Sequence, residues 1–239
     1  MGTIKIKRAV FFPILFFIII SQSYSGNNIP PLEQLETDNP VILDIKEKLL
    51  SNDYFTQSIA ILLIEKIINS SYFIIMEDEL ICLLHHLCTY NDNELEQDNS
   101  HLCLKKRGFD LTGRLGAKTR NTNFGNTLED ILIEQLLNEK DITLAASAIF
   151  ALGITGSNYE GKAIKAIARA VDMWTTRTRN QDFNLAVIIS IEKIAQINKG
   201  IHDNEVYPTL IKIMQSSNDI LIIEKTFHVI ETLNSYEEM

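Results

Sequence analysis

A helical phrase recurs about every 40 residues between Asp53 and the C-terminus, and this repeat constrains the fold more than any other feature of the chain. The two clearest copies occupy residues 104–116 and 141–156, where small or apolar residues hold equivalent positions and Gly-x-x-Gly closes each copy. A helical unit of this kind cannot bury its apolar face alone and must pack against its neighbours. The repeat therefore predicts an extended, all-α scaffold of stacked helix pairs rather than an enzyme pocket.

Apolar residues at helical spacing predict five helix pairs and no strand. The second helix begins at Asp53 and has a wide apolar face as far as Ile68. The other predicted helices cover residues 40–50, 73–90, 100–115, 127–138, 141–152, 161–176, 181–197, 205–215 and 219–233. We expect the helix over 73–90 to be deeply buried because it is apolar on nearly all sides. The polar stretches 91–99 and 117–126 predict loops.

Side chains that can cap helices stand at several of the predicted starts. Pro40 suits the first turn of a helix, and Asn39 or Asp38 can cap it. Asp53, Asp141 and Asp219 each precede the second helix of a pair. A carboxylate there accepts hydrogen bonds from backbone amides that the helix leaves free, so we expect all three to be N-caps.

The second helices of the five pairs align in one register. Their first apolar position is Thr56, Leu104, Leu144, Phe183 and Ile222, and a small or mid-sized position follows four residues later at Ala60, Gly108, Ala148, Val187 and Thr226. Alanine and glycine in mid-helix allow neighbouring helices to approach closely. The pattern resembles the HEAT repeat family of α-solenoids, whose second helix contains Val-Arg-x-x-Ala-x-x-Ala-Leu-Gly-x-x-Gly. The residues that match this phrase are Leu144, Ala148, Ala151, Leu152, Gly153 and Gly156.

The resemblance implies a right-handed α-solenoid of about five HEAT-like helix pairs over residues 39–239, with the second helices lining its concave side. It also implies a non-catalytic scaffold that binds another protein. Some HEAT-like proteins are lyases that act on bilin pigments, so a lyase subunit is the enzymatic alternative. The family's usual arginine is replaced here, and we therefore expect its polar ladder between repeats to be mostly missing. The residues at that position are Gln57, Lys105, Ala145, Asn184 and Ile223.

The N-terminus predicts export. Residues 1–25 combine a basic start at Lys5, Lys7 and Arg8 with an apolar run over 9–20 and the small residues Ser23 and Ser25, which is the pattern of a signal peptide. The run is shorter than the roughly 18 to 20 residues that span a bilayer as a helix. We interpret 1–25 as a signal peptide and 26–38 as a linker, which places the protein in the periplasm or outside the cell. An uncleaved N-terminal anchor is the alternative.

The charge excludes general nucleic-acid binding. Residues 1–25 contain three basic residues and no acidic one, so the net charge falls from −9 for the whole chain to −12 without them. Nucleic-acid binding requires clustered positive charge. We therefore expect no nucleic acid as a partner, and the protein partner is what the HEAT resemblance implies. We also expect no cofactor and, if the signal is cleaved, no membrane span.

Three cysteines allow at most one internal disulfide. Cys88 ends one predicted helix and Cys103 begins the next, so these two are the best candidates for a bridge, with Cys82 left as a buried thiol. Three reduced cysteines in the core are an equally good interpretation.

One cluster has the residue types of a metal site. It consists of Cys82, His85, His86, Cys88, His101 and Cys103. Zinc requires about four converging nitrogen or sulfur ligands, and a metal-binding or redox module is therefore a further alternative. Because the Cys-x-x-Cys pairs of zinc sites are absent and the first of these helices is apolar on nearly all sides, we expect core cysteines and ordinary histidines, with no metal.

The most basic stretch is the candidate partner-binding surface. It contains Lys105, Lys106, Arg107, Arg114 and Lys118. On the concave side of a solenoid these charges would meet an acidic partner. The alternative interpretation is a solvated helix face, as most runs of charge are.

Overall fold

The computed structural model describes residues 29–90, 99–175 and 180–237, and this part of the chain contains ten α-helices and no strand. The predicted signal peptide at 1–25 lies outside the described residues. The helices are α1 (Pro40–Leu49), α2 (Tyr54–Asn69), α3 (Glu77–Thr89), α4 (Asn99–Lys118), α5 (Asn123–Asn138), α6 (Ile142–Thr155), α7 (Lys162–Trp174), α8 (Gln181–Asn198), α9 (Val206–Ser216) and α10 (Ile220–Glu237).

The predicted capping residues begin their helices. The Asn39 side chain accepts hydrogen bonds from the first amides of α1, and Pro40 occupies the first turn. Asp53 accepts from the Thr56 amide at 2.8 Å, and Asp141 accepts at 2.7 Å and 2.9 Å from the first amides of α6. Asp219 accepts at 2.9 Å from the amide two residues later. These four caps are therefore confirmed.

Two predicted helix starts are wrong. The helix expected from residue 73 begins at Glu77, because Tyr72–Ile75 forms a separate 3-10 turn. The helix expected from residue 127 begins at Asn123, where the Thr122 hydroxyl accepts from the Gly125 amide at 3.0 Å. Polar residues over 117–126 were interpreted as loop, but most of them lie in the last turn of α4 and the first turn of α5.

Alternate helices contact one another in chain order. α2 contacts α4, α4 contacts α6, α6 contacts α8, and α8 contacts α10. In the same way α3 contacts α5, α5 contacts α7, and α7 contacts α9. We call α2, α4, α6, α8 and α10 the second-helix row, and α3, α5, α7 and α9 the first-helix row. The apolar core lies between the two rows and is made almost entirely of Ile, Leu, Ala and Val side chains.

Residues 29–38 lie against the helices. Leu32 is buried, and Ile29 and Leu35 pack on the core. The Lys46 ammonium of α1 donates hydrogen bonds to the carbonyl oxygens of Glu33 and Leu35 at 2.9 Å and 2.8 Å. This part of the predicted linker is therefore held by the folded domain rather than free of it.

None of the helices in the described ranges is long and apolar enough to cross a membrane.

Candidate protein-binding groove

A groove of about 380 Å³ crosses the second-helix row where α4, α6 and α8 lie side by side. Most of its lining is apolar or small, and its charged residues are one lysine and two aspartates. The lining residues are Lys106, Asp110, Thr143, Ala146, Ser147, Phe150, Ala151, Ile154, Asp182, Leu185, Ala186 and Ile189. We call this surface the α4–α6–α8 groove.

Glycines bring the three helices of the groove together. A Cβ atom on Gly113 of α4 would lie 2.8 Å from the carbonyl oxygen of Ala151 in α6. A Cβ atom on Gly153 of α6 would lie 2.7 Å from the Cα atom of Ser190 in α8. Real Cβ atoms do not approach other atoms this closely, so only glycine fits either position. The close packing makes the floor of the groove a rigid surface.

Phe150 is the largest apolar side chain of the groove, and it is 40% exposed. The Lys193 ammonium of α8 lies 4.5 Å from the centre of its ring, which is within the range of a cation–π interaction. This contact holds the ring in one orientation while leaving much of it open to solvent. An ordered, exposed aromatic ring on a rigid floor is a favourable anchor for a partner.

A second cleft, of about 550 Å³, lies beside the start of α8. It is lined by Asn180, Gln181, Asp182, Asn184, Ser216, Ser217, Asn218 and Asp219. All of these side chains are polar, and none offers an apolar or aromatic contact. The cleft is larger than the groove, but its lining lacks the anchors from which protein interfaces gain most of their affinity.

Lys105 of α4 does not lie on an open surface. Its Nζ atom lies 2.7 Å from Oε2 of Glu139, and both side chains are mostly buried, at 14% and 7% exposed. Glu139 stands in the turn between α5 and α6. Lys105 therefore joins α4 to the next helix pair rather than facing a partner.

Arg107 and Arg114 of α4 face α2. Both contact Glu65, with nitrogen–oxygen distances of 3.0 Å and 2.6 Å. Arg114 also donates to the Asn69 side chain at 3.0 Å, and both arginines lie near Asp110. The predicted partner-binding arginines are therefore neutralised by carboxylates of this chain.

Lys118 ends α4 and also bonds within the chain. Its ammonium donates to the Ile68 carbonyl oxygen at 2.6 Å and lies 5.8 Å from the centre of the Phe73 ring. Of the five basic residues predicted to bind a partner, only Lys106 lines the α4–α6–α8 groove. Neither interpretation of the sequence includes these contacts, which tie α4 to α2 and to the turn after α5.

Polar bonds between helix pairs continue along the chain, although the arginine typical of HEAT repeats is absent. Gln57 donates to the Tyr90 hydroxyl at 3.0 Å. Gln181 donates to the Asp219 carboxylate at 2.8 Å. In the first-helix row, the ion pairs Lys162–Asp130 and Lys212–Asp172 measure 3.0 Å and 2.5 Å. At the position of that arginine, Ala145 and Ile223 have no polar side chain, so most of these links between pairs come from residues at other positions.

The three cysteines are free thiols, so the Cys88–Cys103 bridge considered from the sequence is not formed. Cys82 and Cys88 are buried, whereas Cys103 is exposed and is not a core residue. The Cys88 sulfur lies 3.4 Å from the Thr112 hydroxyl, and Thr112 is nine residues, or about 13 Å of helix, beyond Cys103 in α4. Burial raises the pKa of Cys82 to about 11 and that of Cys88 to about 12.

The cysteine and histidine cluster does not converge within the described part of the chain. No three His, Cys, Asp or Glu side chains there come close enough to hold a metal ion. His85 and His86 lie on α3, and burial lowers the pKa of both imidazoles. His101 also belongs to the predicted cluster, but its side chain is not among those that the structure describes.

Sequence reasoning missed Glu129 of α5, which is buried. Its Oε2 atom accepts a hydrogen bond from the Ser157 hydroxyl at 2.5 Å. Burial raises the pKa of Glu129, and the neighbouring Asp130 carboxylate raises it further. The hydrogen bond from Ser157 and the charge of Lys162 lower it in part. The residue ties α5 to the turn after α6, and no periodicity or motif in the sequence indicates this contact.

Comparison of the chain with protein-family models, curated proteins and solved structures gave no match. The resemblance to HEAT repeats therefore rests on the sequence pattern, and the function must be argued from the contacts described above.

Proposed function

We propose that the chain is a right-handed α-solenoid of about five HEAT-like helix pairs. Three observations support this. The helices of each row contact their successors in chain order. Aspartates at equivalent positions cap the second helices α2 and α6, and Asp219 does the same before α10. Polar bonds link each pair to the next, as nearest-neighbour repeats require.

We further propose that this solenoid is a non-catalytic scaffold that binds another protein in the α4–α6–α8 groove. The observation that carries the proposal is the exposed Phe150 ring on a rigid, mostly apolar floor. Surfaces of this kind bind an amphipathic helix or extended segment through a few apolar anchors. Leu185 and Ile189 of α8 lie beside the ring in the groove and extend the apolar contact.

The alternatives receive less support from the same contacts. A redox or metal-binding module needs cysteine thiolates, but burial keeps the Cys82 and Cys88 thiols protonated at neutral pH. A lyase subunit needs a general acid or base at a substrate pocket. Glu129 has a raised pKa, but it bonds to the turn after α6 and does not line the groove.

Export is proposed from residues 1–25, and the location is the periplasm or the cell exterior. The intact mass of protein recovered from the native host tests it. A mass that begins at Gly26 supports a cleaved signal, the full-length mass supports an uncleaved anchor, and full-length protein found only in the cytoplasm overturns export.

Site-specific photo-cross-linking in the native host tests the groove. A photoreactive phenylalanine analogue replaces Phe150 or Ile189 in the groove, or Phe55 on α2 as the control. Phe55 is 72% exposed, and it does not line the groove. The proposal predicts that one protein cross-links from both groove positions and not from Phe55. Binding of that protein, once purified, should weaken at least about tenfold with Phe150→Ser. Cross-links of equal yield from Phe55 to that same protein, or none from the groove, would overturn it.

A further inference from the structure

The C-terminal end of the second-helix row exposes a residue whose equivalents are all buried. Counting from the first apolar position of each second helix as repeat position 0, position 5 is Ile61, Phe109, Ile149, Ile188 and Phe227. The first four are buried, whereas Phe227 is 52% exposed. Each of the first four is followed by another second helix, and α10 is the last one in the described chain. Phe227 is therefore a packing position that no helix of the described residues covers.

Two kinds of junction occur between successive second helices. At α4–α6 and α6–α8, position 9 of the first helix is Gly113 or Gly153, and it packs directly on the small residue at position 7 of the next helix, Ala151 or Ser190. These two junctions have the most extensive contacts in the row. The glycine and the small residue fit each other, so these are the close junctions.

The other two junctions have glutamate at position 9. Glu65 of α2 pairs with Arg114 at position 10 of α4, at 2.6 Å. Glu192 of α8 pairs with Lys225 at position 3 of α10, also at 2.6 Å. The residue at position 7 of the next helix is larger here, Leu111 in α4 and Val229 in α10. We call these two the wide junctions. Each has a glutamate at position 9 of the first helix, and the next helix has a large apolar residue at position 7 and a basic residue at position 3 or 10.

The exposed side of α10 has the first half of a wide junction. Position 9 of α10 is Glu231, which is exposed. The start of the row has the second half, because α2 is its first described helix and has Leu63 at position 7 and Lys66 at position 10. Lys66 thus holds the position that Arg114 holds in α4. Leu63 is half-buried and Lys66 is exposed, so both can meet a second molecule.

We propose that α10 of one copy of this chain packs against α2 of a second copy, head to tail, in the wide form of the junction. Glu231 pairs with Lys66 of the next copy, and Phe227 is covered by Leu63 and Ile59, the residue at position 3 of α2. The argument uses charge complementarity and the continuation of the α2–α4 and α8–α10 junctions. It does not depend on the groove or its partner.

A head-to-tail contact uses different surfaces on the two copies, so each added copy leaves one free end of each kind. The proposal therefore predicts open chains whose mean mass rises continuously with concentration, rather than a dimer of fixed mass. A self-complementary contact between two α10 helices would give the dimer instead.

Charge reversal at the two ends tests the contact. Sedimentation velocity of the full chain at low salt is compared for wild type, Glu231→Lys and Lys66→Glu across a hundredfold range of concentration. Each reversal sets like charges against each other, and association should weaken on the order of tenfold. Mixing the two variants makes every junction complementary again, so the mixture should recover the wild-type distribution. The recovery is specific to a contact between position 231 of one copy and position 66 of another.

Glu160→Lys and Lys140→Glu serve as controls, because both residues are exposed and lie away from α2 and α10. They should leave the wild-type distribution unchanged. Phe227→Ser, monitored by circular dichroism to confirm its fold, should also abolish association. A wild-type chain that remains monomeric at every concentration, a dimer of fixed mass, or a variant mixture that does not recover would overturn the proposal.

Discussion

Gly153 of α6 lies directly against Ser190 of α8, and a Cβ atom at position 153 would come 2.6 Å from the Ser190 Oγ atom. The Ser190 hydroxyl donates a hydrogen bond at 2.8 Å to the carbonyl oxygen of Ile149, one turn before Gly153. The glycine and the serine therefore fix the separation of two helices that form the groove. The repeat phrase over 141–156 therefore contains a junction between helices as well as the end of one helix.

Gly153→Ala tests this junction. Alanine favours a helix over glycine by about 1 kcal/mol, so the substitution would stabilise an isolated α6. Here we expect the free energy of unfolding to fall by about 1 to 3 kcal/mol, because the backbone of α8 must move to admit the methyl group.

Urea unfolding monitored by circular dichroism measures this change. Ser147→Ala, on the half-exposed side of the same helix, is the control and should change stability by no more than about 0.5 kcal/mol. A Gly153→Ala variant as stable as wild type would show that α6 and α8 are not held at this distance.

Because Glu129 is buried, we expect the free energy of unfolding to depend on pH. Its pKa is raised in the folded protein above the ordinary value of 4.5, chiefly by burial. The protonated form is therefore favoured by folding, and its contribution is complete below the unfolded pKa and is lost as the pH rises through the folded pKa. Relative to Glu129→Gln, which cannot ionise, the wild type should lose stability as the pH rises from about 4.5 towards neutrality.

Thermal unfolding of both proteins between pH 4 and pH 8 measures this difference. Ser157→Ala removes a hydrogen bond that lowers the pKa of Glu129, so its loss of stability should extend to higher pH than in the wild type. Parallel pH profiles for wild type and Glu129→Gln would show that the carboxyl group does not titrate differently on folding.

The helix pairs and their starts were predictable because both depend on residues close together in the sequence. Apolar periodicity located all ten helices, and Asp53 and Asp141 marked two of their starts. The two glycines that close the repeat phrase at 153–156 have different roles. Gly156 adopts the left-handed conformation at the end of α6, with φ of +61°. Gly153 is a packing residue, and this role depends on a helix some 40 residues away.

The contacts of the basic stretch were not predictable either, because they also depend on residues distant in the sequence. Arg114 bonds to Glu65, which is 49 residues away in the sequence, and Lys118 bonds to the carbonyl oxygen of Ile68, which is 50 residues away. Nothing in the local sequence distinguishes these side chains from Lys106, which lines the groove. Periodicity predicts which side of a helix is apolar, but the partners of polar side chains depend on how the helices stack.

Lys105 and Glu139 form a mostly buried ion pair, and removal of one partner should cost more than removal of both. Lys105→Met leaves the Glu139 carboxylate in a poorly solvated site, and we expect a loss of about 3 kcal/mol in the free energy of unfolding. The double variant Lys105→Met, Glu139→Gln removes the unpaired charge and should regain at least half of that loss.

Urea unfolding of the two single variants, the double variant and wild type completes a double-mutant cycle. Lys140→Met alters an exposed lysine next to Glu139 and should be close to neutral. A double variant whose loss equals the sum of the two single losses would show that the two charges do not interact.

Lys106 and Arg114 lie two turns apart on α4, and their charge reversals should have different effects. Arg114→Glu removes hydrogen bonds to Glu65 and Asn69 and places a third carboxylate beside Glu65 and Asp110, so stability should fall by about 2 kcal/mol. Lys106→Glu alters a residue of the groove, and stability should change by no more than about 0.5 kcal/mol.

Urea unfolding of the two variants measures this contrast, and Arg114→Glu combined with Glu65→Gln should recover part of the loss because it relieves the new repulsion. Equal effects of the two reversals would mean that Arg114 is as free as Lys106, and would return the whole basic stretch to the candidate binding surface. If the contrast holds, loss of a partner in Arg114→Glu reports a weakened α2–α4 junction. Only the Lys106 variant then reports contact with the groove itself.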